Sequence, residues 1–90
     1  MDKWRFYIVK CNDGSLYTGI TKDLEERLKR HNQGRASKYT KVKLPVSLVY
    51  SEILDNESLA KRREIQVKKL SHTNKLKLIE KSLEHILSLG

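Results

Sequence analysis

Residues 4 to 10 alternate between Trp4, Phe6, Ile8 and Arg5, Tyr7, Val9, and their aromatic and β-branched content marks a strand. Residues 15 to 20 read as its partner. Asn12-Asp13-Gly14-Ser15 between them is hairpin chemistry, because Asn, Asp and Gly tolerate positive φ. Strand side chains alternate faces, so the loop decides where Tyr7 and Tyr17 point. A loop with an odd number of residues puts both on one face, and a two-residue Asp13-Gly14 turn puts them on opposite faces. A site shared by the two tyrosines therefore requires a longer loop or a bulge.

From Asp23 to Gln33 the period becomes helical. Asp23 and Glu26 are spaced as a capping box with Thr21 as an alternative cap, Leu24 and Leu28 lie four apart, and Gly34 is placed to end the helix. Arg27 and His31, also four apart, belong at the edge of the same stripe. Residues 35 to 44 read as a basic loop around Tyr39, after which Pro45 leads into a third strand over residues 46 to 53. A second helix starts after Asp55 or Asn56 and runs to about Leu70, with Leu59, Ala60, Val67 and Leu70 for packing. Glu64 falls four after Ala60 and three before Val67, which is no place for a fully solvated acid. A third helix, capped by Ser71 or Thr73, repeats Leu76, Ile79, Leu83, Ile86 and Leu87 at the same period, and its work is structural. The expected fold is α+β, a small three-stranded antiparallel sheet flanked by three helices.

At 90 residues the chain is one domain, 1–90, with a modest core. Its 19 Lys and Arg against 11 Asp and Glu, a net charge of +8, favour a polyanionic partner. The lone Cys11 makes no internal disulfide and fits a reducing compartment. With neither a secretory leader nor an apolar run of membrane-spanning length, the expected location is cytoplasmic and no membrane partner is expected.

Taken singly, the candidate chemistry has bland explanations. Tyrosines across a hairpin ordinarily pack, and Arg27 and His31 can cover the rim of a core. Glu64 can pair with Arg27, Lys61 or Lys68. A single carboxylate does suffice for Mg²⁺ where substrate phosphate and waters complete the octahedron. His72 and His85 stand outside any set with metal-ligand spacing, and no Gly-rich phosphate loop or local Ser or Cys nucleophile signature is present.

Order adds what single residues lack. Tyr7, then Tyr17-Thr18-Gly19, then Arg27 with His31 and Asn32, then Lys38-Tyr39-Thr40, then Lys61-Arg62-Arg63-Glu64 resembles the GIY-YIG endonuclease superfamily, in particular its small stand-alone bacterial members, over roughly residues 4 to 75. Arg5-Phe6-Tyr7 replaces Gly-Ile-Tyr, and Thr18 stands where Ile is usual. Both tyrosines and Gly19 remain.

The resemblance implies a metal-dependent endonuclease acting on DNA phosphodiester bonds, in DNA repair or recombination. Tyr7 or Tyr17 would help deprotonate the attacking water while the other holds it. Arg27 would stabilise charge on the phosphoryl oxygens, and Glu64 would bind Mg²⁺ or Mn²⁺. His31 and Tyr39 would orient water or phosphate, and Gly19 would let substrate or a neighbouring strand come close. Arg35, Lys38, Lys41 and Lys68 would bind phosphates with little base readout, leaving selectivity to shape, such as branched or single-stranded DNA, or to a protein partner. The alternative is a module that keeps the fold and binds nucleic acid without cutting it.

Overall fold

The computed structural model describes the backbone of residues 3–89 and the side chains of all of these except 85, 86, 88 and 89. Three strands, β1 (Trp4–Lys10), β2 (Leu16–Thr21) and β3 (Ser47–Leu54), form one antiparallel sheet in the order β2-β1-β3. Around it lie α1 (Leu24–Asn32), α2 (Lys38–Lys41), α3 (Glu57–Lys68) and α4 (His72–Leu89). β1 is the interior strand and the most buried, with Phe6, Tyr7, Ile8 and Val9 all inaccessible.

The hairpin settles the tyrosine question. Five residues, 11–15, connect β1 to β2, and the pairing Tyr7↔Gly19 and Val9↔Tyr17 places both tyrosines on one face. The loop is held by the Asp13 carboxylate, which accepts from the Ser15 amide at 3.0 Å and from the Ser15 hydroxyl. Gly14 takes φ 85°, the conformation an Asx-type turn asks of glycine.

The sheet is covered on both faces. Tyr7 and Val9 pack with Cys11, Val46, Tyr17, Leu24, Leu28 and Leu44 beneath α1 and its following loop. Phe6 and Ile8 pack with Val67, Ile20, Leu70, Leu78 and Ile79 beneath α3 and α4. These two apolar layers supply most of the folding free energy, at about 25 cal/mol per Å² buried.

Caps explain the helix boundaries. Asp23 Oδ1 accepts from the Glu26 amide at 3.0 Å, and the Asp23 amide itself donates to Thr21 Oγ1 at 3.2 Å, so both candidate caps contribute. At the other end Gly34 takes φ 73°, with Gly34 N–H on His31 O and Arg35 N–H on Arg30 O, both at 2.9 Å, a Schellman closure. Asn56 caps α3 through the Leu59 amide at 2.9 Å, and Ser71 caps α4 through the Asn74 amide at 3.1 Å.

Four expectations need correction. The basic loop contains a helical turn, α2, because Ser37 Oγ accepts from the Tyr39 amide at 3.1 Å, so there are four helices among the described residues. The second and third strands each begin one residue later than expected. Val46 is drawn out of β3 because the Asn32 side chain binds both its N–H, at 2.9 Å, and its carbonyl, at 3.2 Å. In α4, Ile79 packs inward but Leu76, Leu83 and Leu87 are exposed, and Leu78 does the packing expected of them. The side chains of His85 and Ile86 lie outside the described residues. Leu59 of α3 is likewise an exposed rim residue, while Ala60 and Val67 are buried as expected.

Candidate active site

Gly19 shapes the sheet face that carries the two tyrosines. It has no left-handed backbone to account for a glycine. The reason is its cross-strand partner: a Cβ built on Gly19 would lie 2.5 Å from the Tyr7 hydroxyl oxygen and 2.6 Å from Cζ. The Tyr7 ring lies over the bare backbone of residue 19, which steers its hydroxyl toward α1.

There it meets His31. Tyr7 Oη and His31 Nε2 are 2.9 Å apart, and His31 Nδ1 is 2.9 Å from Thr40 Oγ1 on α2. All three residues are buried. This corrects the role expected of His31, because both ring nitrogens are engaged inside the protein and neither is left to orient water or phosphate. Burial, then the charges of Arg27 and Arg30, hold the His31 pKa below its ordinary value, so the imidazole is neutral at pH 7. Burial also pushes the Tyr7 phenol up, opposed by the hydrogen bond and charge of Arg27 and reinforced by Tyr17 and Glu64.

Tyr17 is half-buried, packs edge-on to His31 with ring centroids 5.4 Å apart, and stacks on Tyr39 at 5.9 Å. Tyr39 is 43% exposed. Its hydrogen bonds to Ser15 and Lys43 lower its pKa, and the Lys43 ammonium lies 3.9 Å from the ring centroid and 3.2 Å from Asp13 Oδ2. The hairpin loop thereby fixes the outer tyrosine. Tyr17 and Tyr39 line an open cleft of about 280 Å³ with Leu16, Thr18, Lys68 and Lys75.

Arg27 is only partly accessible. Its Nη1 donates to the Ile20 carbonyl at 3.4 Å, and its Nε is buried with no hydrogen-bond partner. An unsatisfied guanidinium N–H is costly unless something arrives to accept it, and a phosphate oxygen is a fitting acceptor. Glu64 sits on α3, which packs against β1 and β2. Its side chain is 19% exposed, and its neighbour is Lys68 at 3.7 Å, while Lys61 pairs with Glu57 instead. That exposed lysine screens the carboxylate weakly. Among the described residues no three His, Cys, Asp or Glu side chains cluster. A single carboxylate fits Mg²⁺ or Mn²⁺ only where substrate oxygens and waters supply the remaining ligands.

Of the expected site residues, Tyr7, Tyr17, Gly19, Arg27 and His31 come together, with Tyr39 and Lys68 at the adjoining cleft, while Glu64 lies on α3, near enough for its charge to act on Tyr7. Arg35, Lys38 and Lys41 line a separate depression of about 260 Å³ around Gly34 and Ser37. The sequence assigns no role in the site to Lys75 or to Thr40, which enters only as part of the Lys38-Tyr39-Thr40 run. Nothing in the periodicity around Thr40 distinguishes it from its exposed neighbours. A larger depression, of about 480 Å³ beside Arg5, Lys22 and Leu24, holds none of these groups.

Two tyrosines, a buried histidine and an arginine thus meet at one face of a three-stranded sheet, with the Glu64 carboxylate on the helix α3. The chain belongs to the GIY-YIG family: the GIY-YIG catalytic domain matches residues 3–77. This is a superfamily of nucleases. A UPF0213 protein of Staphylococcus saprophyticus is 56% identical over 79 residues, covering 88% of this chain and 96% of its own length. One from Staphylococcus aureus is 50% identical over 80 residues, covering 89% and 98%. The solution structure of a UPF0213 protein from Bacillus halodurans is similar at a TM-score of 0.57 and 38% identity, covering 87% of this chain and 83% of that one. A protein from E. faecalis reaches 0.61 at 34% identity, covering 92% and 90%. The likeness thus spans nearly the whole length of these small proteins.

Proposed function

We propose that this protein is a metal-dependent endonuclease that hydrolyses DNA phosphodiester bonds. The observation that supports this most is the hydrogen bond between Tyr7 and a neutral, buried His31, placed beside an arginine with an unpartnered Nε. Free phenol is a poor base because its pKa is about 10. A phenol that hands its own proton to an imidazole as it accepts one from water avoids that difficulty.

In the reaction, the Tyr7 oxygen takes a proton from the attacking water while the Tyr7 proton passes to His31 Nε2. The hydroxide oxygen bonds to phosphorus as the bond from phosphorus to the sugar oxygen breaks; that oxygen takes a proton from solvent, and His31 releases its own to restore the starting state. Arg27 donates to the phosphoryl oxygens as charge grows there, and the same contact offsets the positive charge that opposes a protonated His31. One preorganised donor of this kind contributes about 3 kcal/mol. Tyr17, nearer to solvent, holds the water. Glu64 would hold Mg²⁺ or Mn²⁺, which when bound polarises the scissile phosphate and stabilises the leaving oxygen.

Lys68, Lys75 and Lys43 flank the cleft, and Arg35, Lys38 and Lys41 form a second basic surface. Such contacts bind backbone and not base edges, so selectivity falls on DNA shape, branched or single-stranded, of the kind met in repair and recombination in the cytoplasm. No helix among the described residues is long and apolar enough to cross a membrane.

The test is cleavage of labelled duplex, single-stranded, flap and four-way-junction DNA with Mg²⁺ or Mn²⁺. Glu64→Ala and Tyr7→Phe should each abolish cutting of the preferred shape while leaving salt-sensitive binding. Binding with no metal-dependent cutting by the wild-type protein would establish the non-catalytic module instead.

A further inference from the structure

Thr40 is fully buried, and its hydroxyl meets two groups. It lies 3.4 Å from the Ser37 carbonyl, toward which it can only donate, and 2.9 Å from His31 Nδ1. A threonine hydroxyl carries one hydrogen. With that hydrogen on the Ser37 carbonyl, the oxygen is an acceptor toward Nδ1, and Nδ1 bears the imidazole proton. A neutral imidazole has one N–H, so Nε2 is then a free lone pair, 2.9 Å from the Tyr7 hydroxyl.

We propose that Thr40 is a positioning residue that holds His31 as its Nδ1–H tautomer, so that Nε2 receives the Tyr7 proton during phosphodiester hydrolysis. The proposal rests on the nuclease reading of Tyr7 and His31. It also gives the short helix α2 a task. Ser37 caps that turn through the Tyr39 amide, and its carbonyl, which accepts from the Lys41 amide at 3.0 Å, orients the Thr40 hydroxyl as well. In the opposite tautomer, Nε2–H would donate toward Tyr7, and Tyr7 would have nowhere to send its proton. Tautomer control through the nitrogen away from the reacting group is how oriented histidines generally work.

Thr40→Val keeps the shape of the side chain and removes the acceptor. Two-bond ¹H–¹⁵N correlation on ¹⁵N-histidine-labelled protein, at a pH where His31 is neutral, reads the tautomer directly. The wild type should show Nδ1–H and Thr40→Val should shift to Nε2–H, with metal-dependent cleavage slowed about 10- to 100-fold, the loss typical when a group orienting a histidine is removed. Thr40→Ser should restore both tautomer and rate. An Nε2–H wild type, or a Thr40→Val protein that cuts at the wild-type rate, overturns the proposal. Should Thr40→Val fail to fold, the wild-type spectrum and Thr40→Ser still decide it. A wild type with Nδ1–H that cuts no DNA under either metal removes the nuclease reading, and the catalytic role of Thr40 with it, while the hydrogen-bond assignment stands.

Discussion

Gly19→Ala is the smallest change that tests how the sheet builds the site. The new Cβ would meet the Tyr7 oxygen at 2.5 Å, and since ordinary contact begins at 3.4 Å, the ring must retreat by roughly 0.9 Å. It cannot do so freely, because Tyr7 is 1% exposed and its ring is rigid. Any such shift either stretches the 2.9 Å bond to His31 beyond hydrogen-bond range or drives the oxygen into the imidazole. Overpacking costs about 1 to 3 kcal/mol, and leaving a buried polar group unpaired costs about 1 to 3 kcal/mol. A total of about 2 to 6 kcal/mol corresponds, in a domain of this size, to a Tm lower by on the order of 10 to 40 °C. Thermal unfolding followed by circular dichroism measures this. Tyr7→Leu in the same chain should relieve the clash, so the double variant should be more stable than the sum of the single losses by about 1 kcal/mol or more. A Gly19→Ala protein that melts with the wild type, or strictly additive losses, would refute the close-approach argument.

Chelation with EDTA should stop cleavage and leave Tm unchanged, because the proposed metal is held by Glu64 and substrate and not by a protein cage; a falling Tm would point to a structural ion instead. Because the folded pKa of His31 lies below its ordinary 6.5, the unfolded chain binds that proton first. Its contribution to stability should therefore be complete above pH 6.5 and decline as pH falls toward the folded value, with a flatter Tm–pH curve in His31→Gln as the check. Ile8→Ala, in a fully buried position, should cost about 2 to 5 kcal/mol in denaturant unfolding, and half-buried Leu28→Ala less than that. Equal losses would contradict the burial assigned to them.

Much of this protein follows from residues near one another in the chain. Asp23, Asn56 and Ser71 start the helices where they do because each supplies a side-chain oxygen to an amide three residues on. The odd loop that lets two tyrosines share a face was a matter of parity, and Glu64 was legible as partly buried from its spacing to Ala60 and Val67. The short turn at α2 escaped because its cap lies inside a run of cations with no apolar period. The leucines of α4 escaped for a different reason: the period says which residues share a stripe, and only the docking angle says which part of the stripe meets the sheet.

What the sequence alone determined was the inventory of groups and the local geometry of each element, because propensity, period and capping act within a few residues. What tertiary structure decided was the partner of each polar atom. His31 reads as a histidine at the edge of the core-facing stripe and proves to be enclosed between Tyr7, 24 positions earlier, and Thr40, nine positions later. Gly19 is a glycine because of a ring on the neighbouring strand. Hydrogen bonds and close contacts form between whatever the fold brings within 3 Å or so, and that distance is set by the packing of both sheet faces at once.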